Sequence, residues 1–165
     1  MPELCHPFTL RVYWEDTDAG GVVFYANYLK FFERARTEWL RALGVEQSTL
    51  QAQTGAIFVV ADLQLRYFAA AKLDDLIQVT VKVVAQRQAS MQLAQQAWRG
   101  DTLLAQGLIR VGCVQAASLR PRRMPAQVLA ALAAEGPLPH QANGAGQDRG
   151  PQSAPQVAVG NLAGA

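Results

Sequence analysis

Histidine is scarce in this chain, and its scarcity limits the chemistry that the protein can perform. The 165 residues include two histidines, His6 and His140. The first precedes the first predicted strand, and the second lies in a segment rich in proline and glycine. A Ser-His-Asp triad, a Cys-His pair and a zinc site built from several histidines are therefore disfavoured. If the protein is an enzyme, we expect its general base to be a carboxylate.

Cysteine and long apolar runs are also in short supply. Two cysteines, Cys5 and Cys113, are too few for a disulfide framework, which favours a reducing compartment. Cys113 stands in an alternating apolar run, which predicts a buried structural thiol. No window of about 18 apolar residues predicts a transmembrane helix, and the N-terminus lacks the pattern of a secretory signal. We therefore expect a cytoplasmic protein without a membrane span.

Charge of one sign is nowhere dense enough to predict a nucleic-acid partner. The formal net charge is +2, and 17% of the residues are charged. One basic cluster, at residues 120–123, is short and typical of a solvated loop. With half of its residues hydrophobic, the chain has the composition and length of a single globular domain with a substantial core.

A long amphipathic helix is the clearest element of the pattern. Apolar residues recur at three- and four-residue steps over residues 27–43, and Gly44 supplies a stop. Charged side chains occupy the opposite face: Lys30, Glu33, Arg34, Arg36, Glu38 and Arg41. The aromatic stripe is typical of a helix that is largely covered by a core. Shorter helical segments are predicted at residues 48–53 and 126–134.

Alternating apolar residues predict five strands. The first is marked by Phe8, Leu10, Val12 and Trp14, and the others span residues 59–67, 77–83, 91–98 and 103–115. Short turns join the last three strands, which predicts an antiparallel meander. One helix on one face of an antiparallel sheet is an α+β architecture. Its open face and two edges favour oligomerisation.

The composition changes sharply near residue 136. Residues 136–165 are rich in alanine, glycine, proline and glutamine, and Asp148 and Arg149 are their charged side chains. This composition is typical of a disordered tail. We therefore predict a folded domain at residues 1–135 and a tail at residues 136–165.

Three carboxylates precede the long helix: Glu15, Asp16 and Asp18. They are followed by the pair Gly20 and Gly21, which favours a tight turn. A carboxylate next to the free N–H groups of a helix start can supply both a base and an oxyanion site. Acidic residues in this position also cap helices or form turns. The spacing alone leaves both interpretations open.

The same region resembles the hotdog-fold acyl-CoA thioesterases of the 4-hydroxybenzoyl-CoA thioesterase family. The resemblance rests on the run Asp16-Thr17-Asp18-Ala19-Gly20-Gly21 within residues 12–40, and on residues 67–75. It covers about residues 8–125 and is strongest to the members associated with the Tol-Pal envelope system of Gram-negative bacteria. It implies a five-stranded antiparallel sheet wrapped around one long central helix.

The resemblance also implies an activity and an assembly. Acyl-CoA would be hydrolysed to a free acid and coenzyme A, without a metal or any other cofactor. Two subunits would pair their sheets edge to edge, and dimers would associate into a homotetramer. The active site would lie at the dimer interface, with coenzyme A spanning the subunits.

Individual roles follow residue by residue from the resemblance. The catalytic aspartate falls on Asp18, as nucleophile or general base, and the N–H that polarises the thioester carbonyl falls on Tyr25. Gly20 and Gly21 would let the backbone approach the thioester. Asp16 is the competing carboxylate, for which we expect a structural role.

Coenzyme A contacts of the family fall near Arg87 and Ser90, where a solvated hairpin arginine is an equally good interpretation.

The chain departs from the family pattern at two positions. Tyr25 replaces a histidine that Tol-Pal-associated members commonly carry, which bears on acyl preference. Ala70 replaces a proline, which should loosen a turn.

Two other functions are weighed against hydrolysis. A hotdog dehydratase acting on hydroxyacyl thioesters usually employs a histidine, which the central segment lacks. A non-catalytic acyl-CoA-binding or scaffolding module of the cell-envelope machinery is compatible with the tail and with the expected oligomer.

Overall fold

The computed structural model describes residues 7–135, and Cys5, His6, His140 and the predicted tail at residues 136–165 lie outside them. Five strands and three α-helices follow one another in the order β1 (Phe8–Arg11), α1 (Asn27–Ala42), α2 (Gln47–Thr54), β2 (Ala56–Tyr67), β3 (Leu76–Gln86), β4 (Ser90–Arg99), β5 (Thr102–Gln115) and α3 (Ala126–Ala134). The predicted α+β class is confirmed. Within residues 7–135, no helix is long and apolar enough to cross a membrane.

All five strands form one antiparallel sheet in the order β1-β3-β4-β5-β2. The predicted meander is confirmed in β3, β4 and β5. The chain crosses from one edge of the sheet to the other between β1 and β2, and α1 lies in that crossing. This is the hotdog arrangement of a curled sheet around a central helix, as the resemblance implied.

The core lies between α1 and the inner face of the sheet. Phe31 and Phe32 have no exposed surface, and they belong to one cluster with Leu93 and Ile109 from the central strands. Gly107 makes this close approach possible, because a Cβ atom there would lie 2.8 Å from the Phe32 ring. The apolar stripe predicted for the helix is therefore its buried face.

The C-terminal helix closes the end of the core. Val128 and Leu132 of α3 are buried, and Trp39 Nε1 of α1 donates a 2.9 Å hydrogen bond to Glu135 Oε2. On β5, Cys113 has no exposed surface, which confirms the predicted buried thiol. Burial raises the pKa of the Cys113 thiol.

The first strand is shorter than predicted. The alternation of apolar residues continues to Trp14, but β1 ends at Arg11. Trp14 instead begins a 3-10 turn, Trp14–Asp16, and 79% of its surface is exposed. The chain leaves the sheet where the Tyr13 N–H binds the Asp16 carboxylate and the Asp16 N–H binds the Tyr13 carbonyl, which closes a turn.

Candidate active site

The segment between β1 and α1 is held by the buried side chain of Asp16. Asp16 is 3% exposed, and its Oδ2 accepts a 2.9 Å hydrogen bond from the Tyr13 N–H. Its carbonyl accepts a 2.8 Å bond from the Phe24 N–H. Asp16 therefore ties the start of the loop to its end. These contacts favour a structural role for this carboxylate.

Asp18 lies at the tip of the loop and is exposed. Thr17 and Val23 form an isolated antiparallel bridge, and inside it the Asp18 N–H donates to the Val22 carbonyl at 2.9 Å. The Oδ1 atom of Asp18 accepts a 2.8 Å bond from the Gly20 N–H. Its other carboxylate oxygen makes no hydrogen bond to any residue in the described part of the chain.

Both glycines of the tip suit this geometry. A Cβ atom on Gly20 would lie 3.1 Å from Asp18 Oδ1. Glycine avoids this close contact, so the carboxylate can keep its position. Gly21 has φ +75°, a backbone conformation that residues other than glycine rarely adopt. The loop therefore presents Asp18 on an ordered turn.

The carboxylates do not cap α1. The residue at its N-cap is Ala26, which has no side-chain cap, and the first turn holds no acidic residue. The capping interpretation is therefore wrong. Turn formation is observed, because Asp18 and Asp16 both bind backbone N–H groups of their own loop.

Two backbone donors are left over where the loop enters α1. The Phe24 N–H is bound to Asp16, and the Asn27 N–H donates to the Phe24 carbonyl at 2.9 Å. Between them, the N–H groups of Tyr25 and Ala26 have no acceptor among residues 7–135. Tyr25 is 65% exposed. Free N–H groups of this kind can stabilise a developing oxyanion.

The end of β2 contacts the segment that leads into α1. The Tyr67 hydroxyl donates a 2.6 Å hydrogen bond to the Tyr25 carbonyl, and its ring meets that of Tyr28 edge-on at 5.5 Å. The Val23 N–H also donates to the Ala71 carbonyl at 2.9 Å. Sequence reasoning treated Tyr67 as a strand residue and missed this contact, since no pattern pairs a tyrosine with a carbonyl 42 positions away.

A comparison with known proteins identifies the fold family. The model of the thioesterase-like superfamily matches residues 12–132. The chain belongs to that superfamily. Its relatives, described next, are thioester hydrolases; the protein is therefore a thioester hydrolase, which confirms the enzyme class expected from the sequence.

Relatives of this superfamily cover most of the chain. The acyl-CoA thioesterase YbgC of Haemophilus influenzae is 45% identical over 125 residues, which are 76% of this chain and 92% of the relative. The acyl-CoA thioester hydrolase YbgC of Escherichia coli is 40% identical over 122 residues, 73% of this chain and 90% of the relative.

A solved structure gives the same result. The probable thioesterase from Bartonella henselae superposes with a TM-score of 0.69 at 31% identity. The match covers 73% of this chain and 98% of that structure. Sequence and fold therefore place the chain in the same superfamily.

Within one thioesterase-like chain, the predicted coenzyme A contacts lie far from Asp18. Arg87 is exposed in the hairpin after β3, where its N–H donates to the Ser90 carbonyl at 2.8 Å. The Asp18 loop leaves the sheet beside the other end of β3, where Arg11 faces Leu76. The length of β3 separates the two places by roughly 30 Å. The structure does not bring these residues together within one chain.

A groove runs beside α1 on the β2 side of this thioesterase fold. The helix contributes the polar side chains of Glu33, Arg36 and Thr37, and the sheet contributes Phe58, Met91, Leu93 and Val111. The sequence pattern placed Arg36 on the charged face, opposite the apolar stripe. Its side chain is half-buried, because its Nη1 donates a 2.8 Å bond to Gln95 Oε1 in the core. Burial lowers the pKa of the Arg36 guanidinium.

Proposed function

We propose that this protein is an acyl-CoA thioesterase in which Asp18 is the catalytic carboxylate and the Tyr25 N–H stabilises the oxyanion. The observation that carries the proposal is the loop itself. It presents an exposed carboxylate on an ordered turn and leaves the Tyr25 N–H without an acceptor among the described residues. The similarity to YbgC thioesterases supports acyl-CoA as the substrate.

The reaction needs few groups because a thioester is already activated. As a general base, Asp18 takes a proton from water while the water oxygen adds to the thioester carbonyl. The resulting oxyanion accepts a hydrogen bond from the Tyr25 N–H, and its collapse releases the acid and the coenzyme A thiolate. As a nucleophile, Asp18 instead forms a mixed anhydride, which water then hydrolyses. Incorporation of labelled water oxygen into Asp18 during one turnover would show the nucleophilic route, because the general-base route places the label in the released acid.

The wider site includes the backbone at Gly20 and Gly21, which lets the thioester approach the loop. We further propose that Arg87 and Ser90 contact coenzyme A bound to a partner subunit. The separation of the hairpin from Asp18 within one chain supports an arrangement that spans two subunits.

We infer that two chains pair through β2. This strand lies at the edge of the sheet, and two of its apolar side chains, Val60 and Leu63, are 51% and 37% exposed. Antiparallel pairing of two β2 strands about a two-fold axis puts the Arg87 hairpin of one chain at the same end of the joined sheet as the other chain's Asp18. Dimers would then associate into a homotetramer, which light scattering of the purified protein would reveal.

The physiological setting is part of the proposal. Similarity of residues 12–40 and 67–75 to Tol-Pal-associated members supports a place in that subfamily of the 4-hydroxybenzoyl-CoA thioesterase type. We place the enzyme in the cytoplasm, where acyl-CoA is available, and assign it no cofactor.

Release of free thiol from a panel of acyl-CoAs, short to long and including benzoyl types, tests the activity. Wild-type protein should release thiol, and Asp18→Asn should lower kcat by about 10²- to 10⁴-fold. Its thermal stability should be unchanged, because Asp18 is exposed. Full activity in Asp18→Asn would overturn the assignment of the base. Tight acyl-CoA binding without thiol release would favour a binding module instead.

A further inference from the structure

We propose that Tyr67 is a positioning residue for hydrolysis, and that it makes the Ala26 N–H a second donor to the thioester carbonyl. This inference rests on the proposed function, because it adds a member to the oxyanion site. Tyr67 acts through the peptide group that joins Tyr25 to Ala26. It does not touch the substrate.

The Tyr25 carbonyl lies one residue before the N-cap of α1 and takes no part in the hydrogen-bond ladder of the helix. If α1 began one residue earlier, this carbonyl would accept the N–H four residues later, which belongs to Leu29. That N–H donates to the Ala26 carbonyl at 3.1 Å instead. The partner of the Tyr25 carbonyl is the Tyr67 hydroxyl, at 2.6 Å. The orientation of this peptide is therefore set by β2 and not by the helix.

Peptide geometry transmits this contact to Ala26. A trans peptide is planar, and its C=O and N–H bonds point in opposite directions. Fixing the Tyr25 carbonyl on Tyr67 thus aims the Ala26 N–H away from β2. This N–H has no acceptor among residues 7–135. A hydrogen bond to the carbonyl also polarises the peptide and strengthens its N–H as a donor, by about 10–30%.

Tyr67 is itself well placed to hold this geometry. It is the last residue of β2, where it faces Ala105 in the neighbouring strand. Its ring lies edge-on to Tyr28 of α1, with an angle of 69° between the planes. Burial raises the pKa of the Tyr67 hydroxyl, so that it keeps its proton and remains a donor.

Because Tyr67 is partly exposed, a positioning role can be tested apart from a purely structural one. The residue is 42% exposed, so its hydroxyl contributes to the loop rather than to the core. Tyr67→Phe should therefore fold with nearly the thermal stability of the wild type. Tyr28→Phe is a control in a buried position: it removes the hydroxyl that contacts the Ala71 backbone but leaves the Tyr25 carbonyl its partner.

Steady-state kinetics with an acyl-CoA that the wild type hydrolyses provide the first test. We expect Tyr67→Phe to lower kcat about tenfold, as a partly misaimed oxyanion donor should, with KM within about twofold of the wild type. Tyr28→Phe should keep kcat within about twofold. Wild-type kcat in Tyr67→Phe would overturn the proposal.

A spectroscopic test reports on the carbonyl directly. A ketone analogue of acyl-CoA, in which a methylene replaces the thioester sulfur, is labelled with carbon-13 at the carbonyl and bound to each protein. Its infrared stretch should lie at lower frequency on the wild type and on Tyr28→Phe than on Tyr67→Phe. An unchanged stretch in Tyr67→Phe, together with a loss of thermal stability, would show a structural role and overturn the proposal.

The two proposals fail in different ways. Full activity of Asp18→Asn, with a carbonyl stretch that still depends on Tyr67, would remove the assignment of Asp18 and leave that of Tyr67. If Asp18→Asn is inactive and the carbonyl stretching frequency is the same in Tyr67→Phe and wild type, the present inference alone is overturned. A wild-type protein that releases no thiol would overturn both.

Discussion

The guanidinium of Arg36 donates a 2.8 Å hydrogen bond to Oε1 of Gln95, a side chain with no exposed surface. Gln95 in turn donates through Nε2 to the Phe32 carbonyl at 3.0 Å. These bonds connect α1 to the middle of β4 inside a largely apolar core. Gln95 therefore satisfies a half-buried cation and a helix carbonyl at once.

Replacing Gln95 by leucine should destabilise the protein. The substitution removes the acceptor that Arg36 uses, and a buried donor without a partner costs about 1–3 kcal/mol. Urea denaturation should show that loss in the free energy of unfolding. Gln106→Leu, on the exposed surface of β5, is the control and should change it by less than about 0.5 kcal/mol. Equal stability of Gln95→Leu and wild type would contradict the role given to this hydrogen bond.

Gly20→Ala should slow hydrolysis without unfolding the protein. The added Cβ would lie 3.1 Å from Asp18 Oδ1, so the carboxylate must shift by a few tenths of an ångström. We expect kcat to fall by about tenfold, since catalytic groups tolerate little displacement. Gly112→Ala is the comparison, because the atoms nearest to its Cβ would be 4.0 Å away. If both variants keep the wild-type kcat, the position of this carboxylate does not limit the rate.

Asp75 should make stability depend on acid pH. Burial raises the pKa of its carboxyl, but the Lys72 N–H and the Arg99 guanidinium lower it more, so the pKa lies below its usual value. A depressed pKa means that the carboxylate stabilises the fold above the unfolded-state pKa of about 3.9. That contribution is lost as the pH falls through the folded-state pKa.

The measurement compares urea denaturation of Asp75→Asn and wild type across this range. Asp75→Asn should be less stable at neutral pH, and the difference should shrink below about pH 4. Asp74→Asn is the control, because Asp74 is exposed and its φ of +68° suits asparagine. A difference that stays constant down to about pH 2 would show that the Asp75 charge is not involved.

The sequence was sufficient to predict the elements whose periodicity is long and unbroken. The predicted helix start at Asn27 and the predicted C-terminal helix at residues 126–134 are both confirmed. The first strand was extended too far, because the alternation of apolar residues runs on to Trp14 after the backbone has turned away. The alternation of apolar residues does not show that the Tyr13 N–H binds the Asp16 carboxylate and that the chain turns there.

For the site too, local features were predicted and long-range contacts were not. Local sequence indicated that a carboxylate lies next to a helix start, and in the structure the loop that carries Asp18 leads into α1. Contacts between distant segments were missed: Tyr67 with the Tyr25 carbonyl, and Arg36 with Gln95. Each depends on how β2 and β4 lie against α1, which tertiary packing decides.

Cys113 lies on β5 with no exposed surface, and its thiol holds its proton more firmly than a free one. A thiol reagent added to an assay of the folded protein would therefore be consumed by released coenzyme A and not by this side chain. Slow labelling of Cys113 would instead record how often β5 opens. Cys113 thus reports on the native-state fluctuations of β5.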